Sequence, residues 1–179
     1  FGGLDIGSSG VKCAFFNERG KRLAFARQDY DCSSHGGYYE LDGRVVWNQV
    51  KKVLHDAAAQ LDEPVEGVAV SSIGEAGVAL DEKDRVLAPS ILFNDIRGQK
   101  ESRELVRQLG EKWIYQTTGN VPNGTYSIEK MMWIRQNESY YNRIEKYLLY
   151  EDFIIYMLTG IRGISHSLAA RTMAFDVVK

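Results

Sequence analysis

The sequence has only two cysteines, Cys13 and Cys32, at no spacing that suits a metal centre. Cys13 falls in an apolar stretch, and both read as reduced, structural thiols of a cytoplasmic protein. No apolar run approaches the roughly 20 residues that a membrane-spanning helix needs, and no segment has the make-up of a signal peptide. Charge of one sign is missing as well. Lys and Arg number 22 against 24 Asp and Glu, and a net charge of −2 offers no footprint for nucleic acid or an anionic membrane. No Gly-Lys-Ser/Thr opens a helix, which excludes a Walker phosphate loop. His35, His55 and His166 have no partners at catalytic or metal spacing. Internal repeats, low-complexity tracts and linkers are also absent.

What remains is ordinary globular composition, 44% hydrophobic and 26% charged over 179 residues, enough for one domain or part of a larger one. Strands are expected from Gly3, over Val11 to Asn17 and over Arg22 to Arg27, with the turn signal Asn17 to Gly20 making a meander. A polar loop follows over residues 31–44. Val46, Trp47, Val50, Val53, Leu54, Ala57, Ala58 and Leu61 then recur at helical steps. Val65 to Ser71 reads as a strand, and residues 77–93 as a hairpin around Asp81 to Asp84. Helices are expected over "IRGQKESRELVRQLG", over "SIEKMMWIRQNES" with Ser127 as its cap, and over "EDFIIYMLTG". "RTMAFDVV" reads as a returning strand. Strands interleaved with helices make the fold class α/β.

Asp5 sits in an apolar run directly before Gly7-Ser8-Ser9-Gly10. A buried carboxylate is costly, so this one needs a partner, a metal or a solvent-filled cleft. A Gly/Ser turn can present backbone N–H groups and hydroxyls as a concave anion site, with Asp5 holding Mg²⁺ at its lip and Lys12 adding positive charge. A plain hairpin turn, with Asp5 capping its own backbone, fits the same residues. Glu75 follows a buried-looking strand on a turn flanked by Gly74 and Gly77. A carboxylate there suits two neighbouring hydroxyls, although a solvated turn glutamate is the simpler reading. Trp47 fits the core stripe of its helix better than a sugar face, and Tyr126 is left between those roles. His35 reads as a solvated loop residue.

Five segments in order resemble the FGGY family of carbohydrate kinases, in the actin-like ATPase-domain superfamily. "GLDIGSSGVKCAFFNERGKRLA" is similar to its phosphate-binding hairpin. "VAVSSIGEAGVALDEKDRVLAPSILFNDIR" resembles its strand, sugar-binding turn, hairpin and Trp/Phe-Asn-Asp-x-Arg element. "TYSIEKMMWIRQNE" resembles its Lys-x-x-Trp helix, "YLLYEDFIIYMLTG" its Leu-x-x-Asp-Tyr…Leu-Thr-Gly helix, and "HSLAARTMAFDV" its Ser-x-Ala…Phe-Asp segment. The xylulokinase-, gluconokinase- and fuculokinase-like branches are the nearest in character.

The resemblance implies a ribonuclease H-like, actin-like ATPase domain: a mixed sheet with flanking helices. Residues 1–179 would be most of the N-terminal domain, with the base aspartate beyond Lys179 and a C-terminal domain to follow. Asp176, in the Phe-Asp segment, is then not the base. Implied too are ATP and Mg²⁺, and transfer of the γ-phosphate to a hydroxyl of a sugar, polyol or sugar acid. Asp5, Gly7, Ser8, Ser9 and Lys12 fall on the phosphate side, with Asp5 for the metal. Gly74, Glu75, Asn94, Asp95 and Arg97 fall on the substrate side, and Asp95 and Arg97 are a pair that holds its loop. The full-length protein is expected to be cytoplasmic, with a homodimer as one assembly open to it.

The chain departs from the family's pattern in two places. Ile164-Ser165 stands where many members have Thr-Asp. The turn Ile73-Gly74-Glu75-Ala76 lacks both the Met-His of typical xylulose kinases and the Arg-Glu of glycerol kinases. A non-catalytic sugar- or nucleotide-sensing module on the same fold is the competing reading, and an actin-like filament subunit a weaker third.

Overall fold

Apolar side chains at every second position give the first strands one buried face. The computed structural model describes residues 1–179. It begins with β1 (Gly2–Ile6), β2 (Gly10–Phe16) and β3 (Arg22–Asp29), the meander expected from the sequence. Leu4 and Ile6, Val11, Cys13 and Phe15, and Ala24 all point inward and are buried. A short hairpin, β4 (Ser33–His35) and β5 (Tyr38–Leu41), leads into α1 (Gly43–Ala58). Asp42 caps α1 by accepting from the Arg44 N–H at 2.8 Å. Val46, Val50, Val53 and Ala57 form its buried stripe against β2 and β3. Each such valine contributes on the order of 1.5–3 kcal/mol by leaving water.

The chain then returns through β6 (Val68–Ser72), β7 (Gly77–Leu80) and β8 (Ser90–Ile91). β6 lies parallel to β1, so the main sheet is mixed, in the order β3-β2-β1-β6. The remaining elements are α2 (Gln99–Leu109), α3 (Glu111–Thr118), α4 (Ser127–Asn137), β9 (Lys146–Leu149), α5 (Tyr150–Thr159) and α6 (His166–Arg171). α5 packs on β6, β7 and β9, and its Tyr150, Phe153 and Ile154 complete the core begun by α1. Trp47 is half-buried against that core, as its place in the stripe implied.

Four local expectations are corrected. Residues 31–44 are not all loop, because Gly36 and Gly37, at φ of 59° and 86°, turn β4 back on β5. The 77–93 hairpin is reduced to a tight turn with one bridge, Leu80 to Val86. The strands on either side of that turn find distant partners instead, β7 with β9 and β8 with β5. Ser127 is the first residue of α4 and not its cap. "RTMAFDVV" forms no strand. Ser165 caps α6 by accepting from the Leu168 N–H, and the Asp176 carboxylate ties down the amides of Val178 and Lys179. That local bonding takes amides a strand ladder would use.

Gly77 is a position where no side chain fits. A Cβ built there would run into the Tyr147 ring. Gly77→Ala is expected to destabilise the domain by about 1–3 kcal/mol through overpacking. A lowered urea midpoint checks this, and an unchanged midpoint would show that Tyr147 moves aside freely.

Candidate functional site

Parallel pairing puts two turns at the same edge of the sheet. Asp5 stands opposite Ser71 and Ile6 opposite Ser72, and the Ile73 N–H donates to the Ile6 carbonyl at 2.9 Å. The Gly7–Ser9 turn and the Ile73–Ala76 turn therefore leave the same end of neighbouring strands. Ligands of open α/β sheets sit at such carboxyl ends. A cavity of about 580 Å³, lined by Arg44, Trp47, Arg85 and Arg143 among others, lies away from both turns.

The first turn is held by its carbonyls. Gly7 O accepts from the Tyr30 hydroxyl at 2.6 Å, Ser8 O from the Cys32 thiol at 2.7 Å, and Ser9 O from the Tyr30 N–H at 3.2 Å. Ser8 and Ser9 are exposed, and neither their amides nor their hydroxyls donate to another protein group. Gly10 lets β2 approach β3 closely, since a Cβ there would lie 2.8 Å from both the Gln28 carbonyl and Asp29 Oδ1. The result is a rigid turn with its donors facing out.

Asp5 turns out to face solvent, on the side of the sheet opposite the core. Across the strands it lies in one row with Arg27, Lys12 and Ser71. Its carboxylate is 58% exposed and 3.7 Å from the Lys12 ammonium. So the acid that looked costly in an apolar strand is neither buried nor unpaired. The donors here suit a magnesium-bound phosphate. One hard carboxylate beside free amides and hydroxyls matches an ion that keeps waters and takes phosphate oxygens. No group of three His, Cys, Asp or Glu stands ready to hold a metal by protein alone.

Glu75 is the opposite case. It is only 3% exposed, and Ser127 at the start of α4 donates its hydroxyl to Oε2 at 2.9 Å. Oε1 is buried with no partner in the protein. Burial pushes the carboxyl up to about 7, opposed by hydrogen bonds from the hydroxyl and the backbone N–H of Ser127 and by the charge of Arg171. Gly74 is half-buried, and a Cβ there would lie 3.1 Å from Arg171 Nε. The site thus holds a carboxylate with one anchored and one free oxygen, able to accept hydroxyl hydrogens.

In the third element, Asp95 and Arg97 do pair. Asp95 Oδ1 accepts from the Arg97 N–H and Nε, and Oδ2 from Arg97 Nη2 and the Tyr39 N–H, all between 2.6 and 2.9 Å. Burial pushes the Asp95 carboxyl up, but these bonds outweigh it and hold the carboxyl below its ordinary range. Arg97 also reaches Glu40 at 2.7 Å and lies over the rings of Tyr38 and Trp133. Both oxygens of Asp95 are thus engaged within the protein. Asn94 is exposed and makes no side-chain hydrogen bond to the protein.

Sequence reasoning missed the residues that tie these pieces together. Lys130, one helical turn past Ser127, donates to the carbonyls of Asp95, at 2.8 Å, and of Arg97. Burial pushes its ammonium down to about 8. Ser127 and Lys130 share a face of α4 by their three-residue spacing, which was a readable signal; their targets were not. Phe93, 46% exposed beside buried Leu92, was legible only as the aromatic of its motif. Tyr126 is half-buried, its N–H donating to Glu129 Oε2 at 3.0 Å. His35 and His55 are exposed, and His166 stacks on Phe175.

Known proteins share this fold. The model of the FGGY family of carbohydrate kinases, N-terminal domain, matches residues 1–179. The chain is 31% identical over 182 residues to a xylulose kinase of Escherichia coli strain K12, covering 99% of this chain and 37% of that protein. It is 29% identical over 181 residues to a xylulose kinase of Staphylococcus xylosus, covering 98% of this chain and 37% of that protein. The crystal structure of xylulose kinase from Rhodospirillum rubrum superposes with a TM-score of 0.95 at 27% identity, over 99% of this chain and 37% of that one. A gluconate kinase from Lactobacillus acidophilus, at 21% identity and a TM-score of 0.91 over 98% of this chain and 36% of its own, shares the fold. That fold is the actin-like ATPase architecture, a mixed sheet with flanking helices. The chain belongs to the FGGY family of carbohydrate kinases and corresponds to the family's N-terminal domain.

Proposed function

We propose that the full-length protein is an ATP-dependent carbohydrate kinase, transferring the γ-phosphoryl group to a hydroxyl of a sugar, polyol or sugar acid. This chain then supplies most of the N-terminal domain, and the base aspartate and the second domain lie beyond Lys179. One observation carries the reading. The phosphate-side turn with Asp5 and the turn with Glu75 leave the same edge of β1 and β6. A sensor of sugar alone has no use for a solvent-facing Asp5 beside unengaged Ser8 and Ser9.

In this assignment the amides and hydroxyls of Ser8 and Ser9 receive phosphate oxygens, with Gly7 and Gly10 keeping the turn tight. Lys12 adds positive charge one strand away. Asp5 holds Mg²⁺, largely through water; the ion supplies neutralisation of phosphate charge. Glu75 Oε1 accepts from a substrate hydroxyl and orients the sugar. Asn94 borders the sugar, and Asp95 with Arg97 keeps that wall rigid. Phosphoryl transfer is mostly positioning and charge stabilisation, which is what fixed turns provide.

A coupled ADP-release assay of the full-length protein with Mg-ATP tests this. The panel holds xylulose, gluconate and glycerol, the substrates in the names of its relatives and neighbours, then further ketoses, polyols and aldonates. Sugar-dependent ADP release with at least one of them is the expected result. Binding of a sugar with no turnover across the panel would favour the sensing module.

A further inference from the structure

The proposed sugar clamp depends on a residue outside the two turns. Glu75 sits on a short connection and has no neighbour within it to choose which oxygen stays unpartnered. α4 makes that choice. Ser127, 4% exposed, donates to Oε2 at 2.9 Å, so Oε1 alone is left without a hydrogen-bond partner. From the same face of α4, Lys130 grips the carbonyls of Asp95 and Arg97. One helix face therefore sets the distance between the Glu75 turn and the 94–97 loop. The start of α4 is itself fixed by the bond from the Tyr126 N–H to Glu129 Oε2 at 3.0 Å.

We propose that Ser127 is the positioning residue of the sugar site: its hydroxyl anchors Oε2 of Glu75 and thereby leaves Oε1 as the one unpaired acceptor for a substrate hydroxyl. This rests on the reading of Glu75 as the sugar-side carboxylate. The physical need is clear from burial. A carboxylate with no hydrogen-bond donor in a dry site favours its neutral form, and a protonated carboxyl is a poorer acceptor for a hydroxyl. The other charged or titratable groups that bear on Glu75 are Arg171 from α6, Glu129 and Lys130 from α4, and Tyr147 from β9. None of these donates a hydrogen bond to its carboxylate. Ser127 is the only residue that donates to it, through its hydroxyl and its backbone N–H, and Ser127→Ala removes the first alone.

The test uses the full-length protein and the best-bound member of the xylulose, gluconate and glycerol panel, titrated from pH 5.5 to 8.5. Ser127→Ala is expected to weaken sugar affinity roughly three- to thirtyfold at pH 7. The pH at which affinity falls off on the acid side should move up by about half to one unit. Ser127→Thr, which keeps the hydroxyl, should restore both, and Mg-ATP affinity should stay within about twofold. Ser127→Cys, nearly isosteric with a weak donor, gives the same reading if the alanine variant folds poorly. Wild-type affinity and an unmoved acid limb in Ser127→Ala, with Glu75→Gln weakened, would overturn the role of Ser127 alone. Unchanged sugar affinity in Glu75→Gln as well would overturn the sugar role of Glu75, and this proposal with it.

Discussion

Asp5→Asn in the full-length protein is expected to lower turnover on the order of a hundredfold or more, with sugar affinity changed less than about threefold. The substitution keeps the shape and removes one negative charge from the exposed row formed with Arg27, Lys12 and Ser71. Because the carboxylate faces solvent and its only ion-pair partner, Lys12, is 3.7 Å away, little folding energy is at stake. The loss should therefore appear in kcat and in the magnesium dependence, not in thermal stability. Steady-state kinetics across a magnesium titration, beside sugar titration by calorimetry, separates the two. Turnover like the wild type at saturating magnesium would remove Asp5 from the metal role. An equal loss of sugar affinity would make it a residue of the whole cleft.

Glu75→Gln should weaken sugar affinity about tenfold to a hundredfold, since hydrogen bonds to a charged group contribute about 1.5–3 kcal/mol. Mg-ATP affinity should barely change, because the phosphate-side turn is untouched. The same substitution has an opposite effect on stability, with a sign set by the raised pKa. Burial lifts the folded-state carboxyl to about 7 from an ordinary 4.5, so the folded protein holds this proton more tightly than the unfolded chain. Stability from that source is fully present below the unfolded value and is lost as pH rises through about 7. Gln carries no charge to bury. Glu75→Gln should therefore be more stable than wild type at pH 8, by about 1–3 kcal/mol, with the gap closing towards pH 4.5. Thermal unfolding at several pH values reads this directly. A gap independent of pH would mean that Glu75 is not buried as a charge. Weakened affinity without a pH-dependent gain in stability would place the carboxylate in solvent.

The two predictions separate two ways of holding an acid. Asp5 costs little to keep because water and Lys12 share its charge. Glu75 is kept at a cost in stability, which is typical of groups whose environment is shaped for binding. Gly77→Ala is a control on the second. It crowds Tyr147, which itself bears on Glu75, so its effect on sugar binding shows how far mispacking under the turn reaches the carboxylate.

Much of the architecture was legible in the chain. Alternation over Leu4 to Phe15 fixed which residues of the meander face inward, and the 46–57 stripe placed α1 on them. The Gly/Ser turn after Asp5 was readable because its conformation is set by residues adjacent in sequence. So was the pairing of Asp95 with Arg97, two positions apart. What the sequence left open concerned partners far along the chain. β7 pairs with β9, about 70 residues on, in place of its own neighbour, because the Asp81 turn closes too tightly to carry a ladder. Ser127 looked like a helix cap, and only packing shows its hydroxyl going to Glu75, 52 residues away. Burial was decided in the same way. Asp5 sits among apolar neighbours yet faces water, since a strand alternates its faces; Glu75 sits in a turn yet is buried, since α4 and β9 close over it. Local residue order determined the opening meander, α1 and the Gly7–Gly10 turn. The charge states, and the second oxygen of Glu75, were decided only when distant helices set the dielectric and the donors around them.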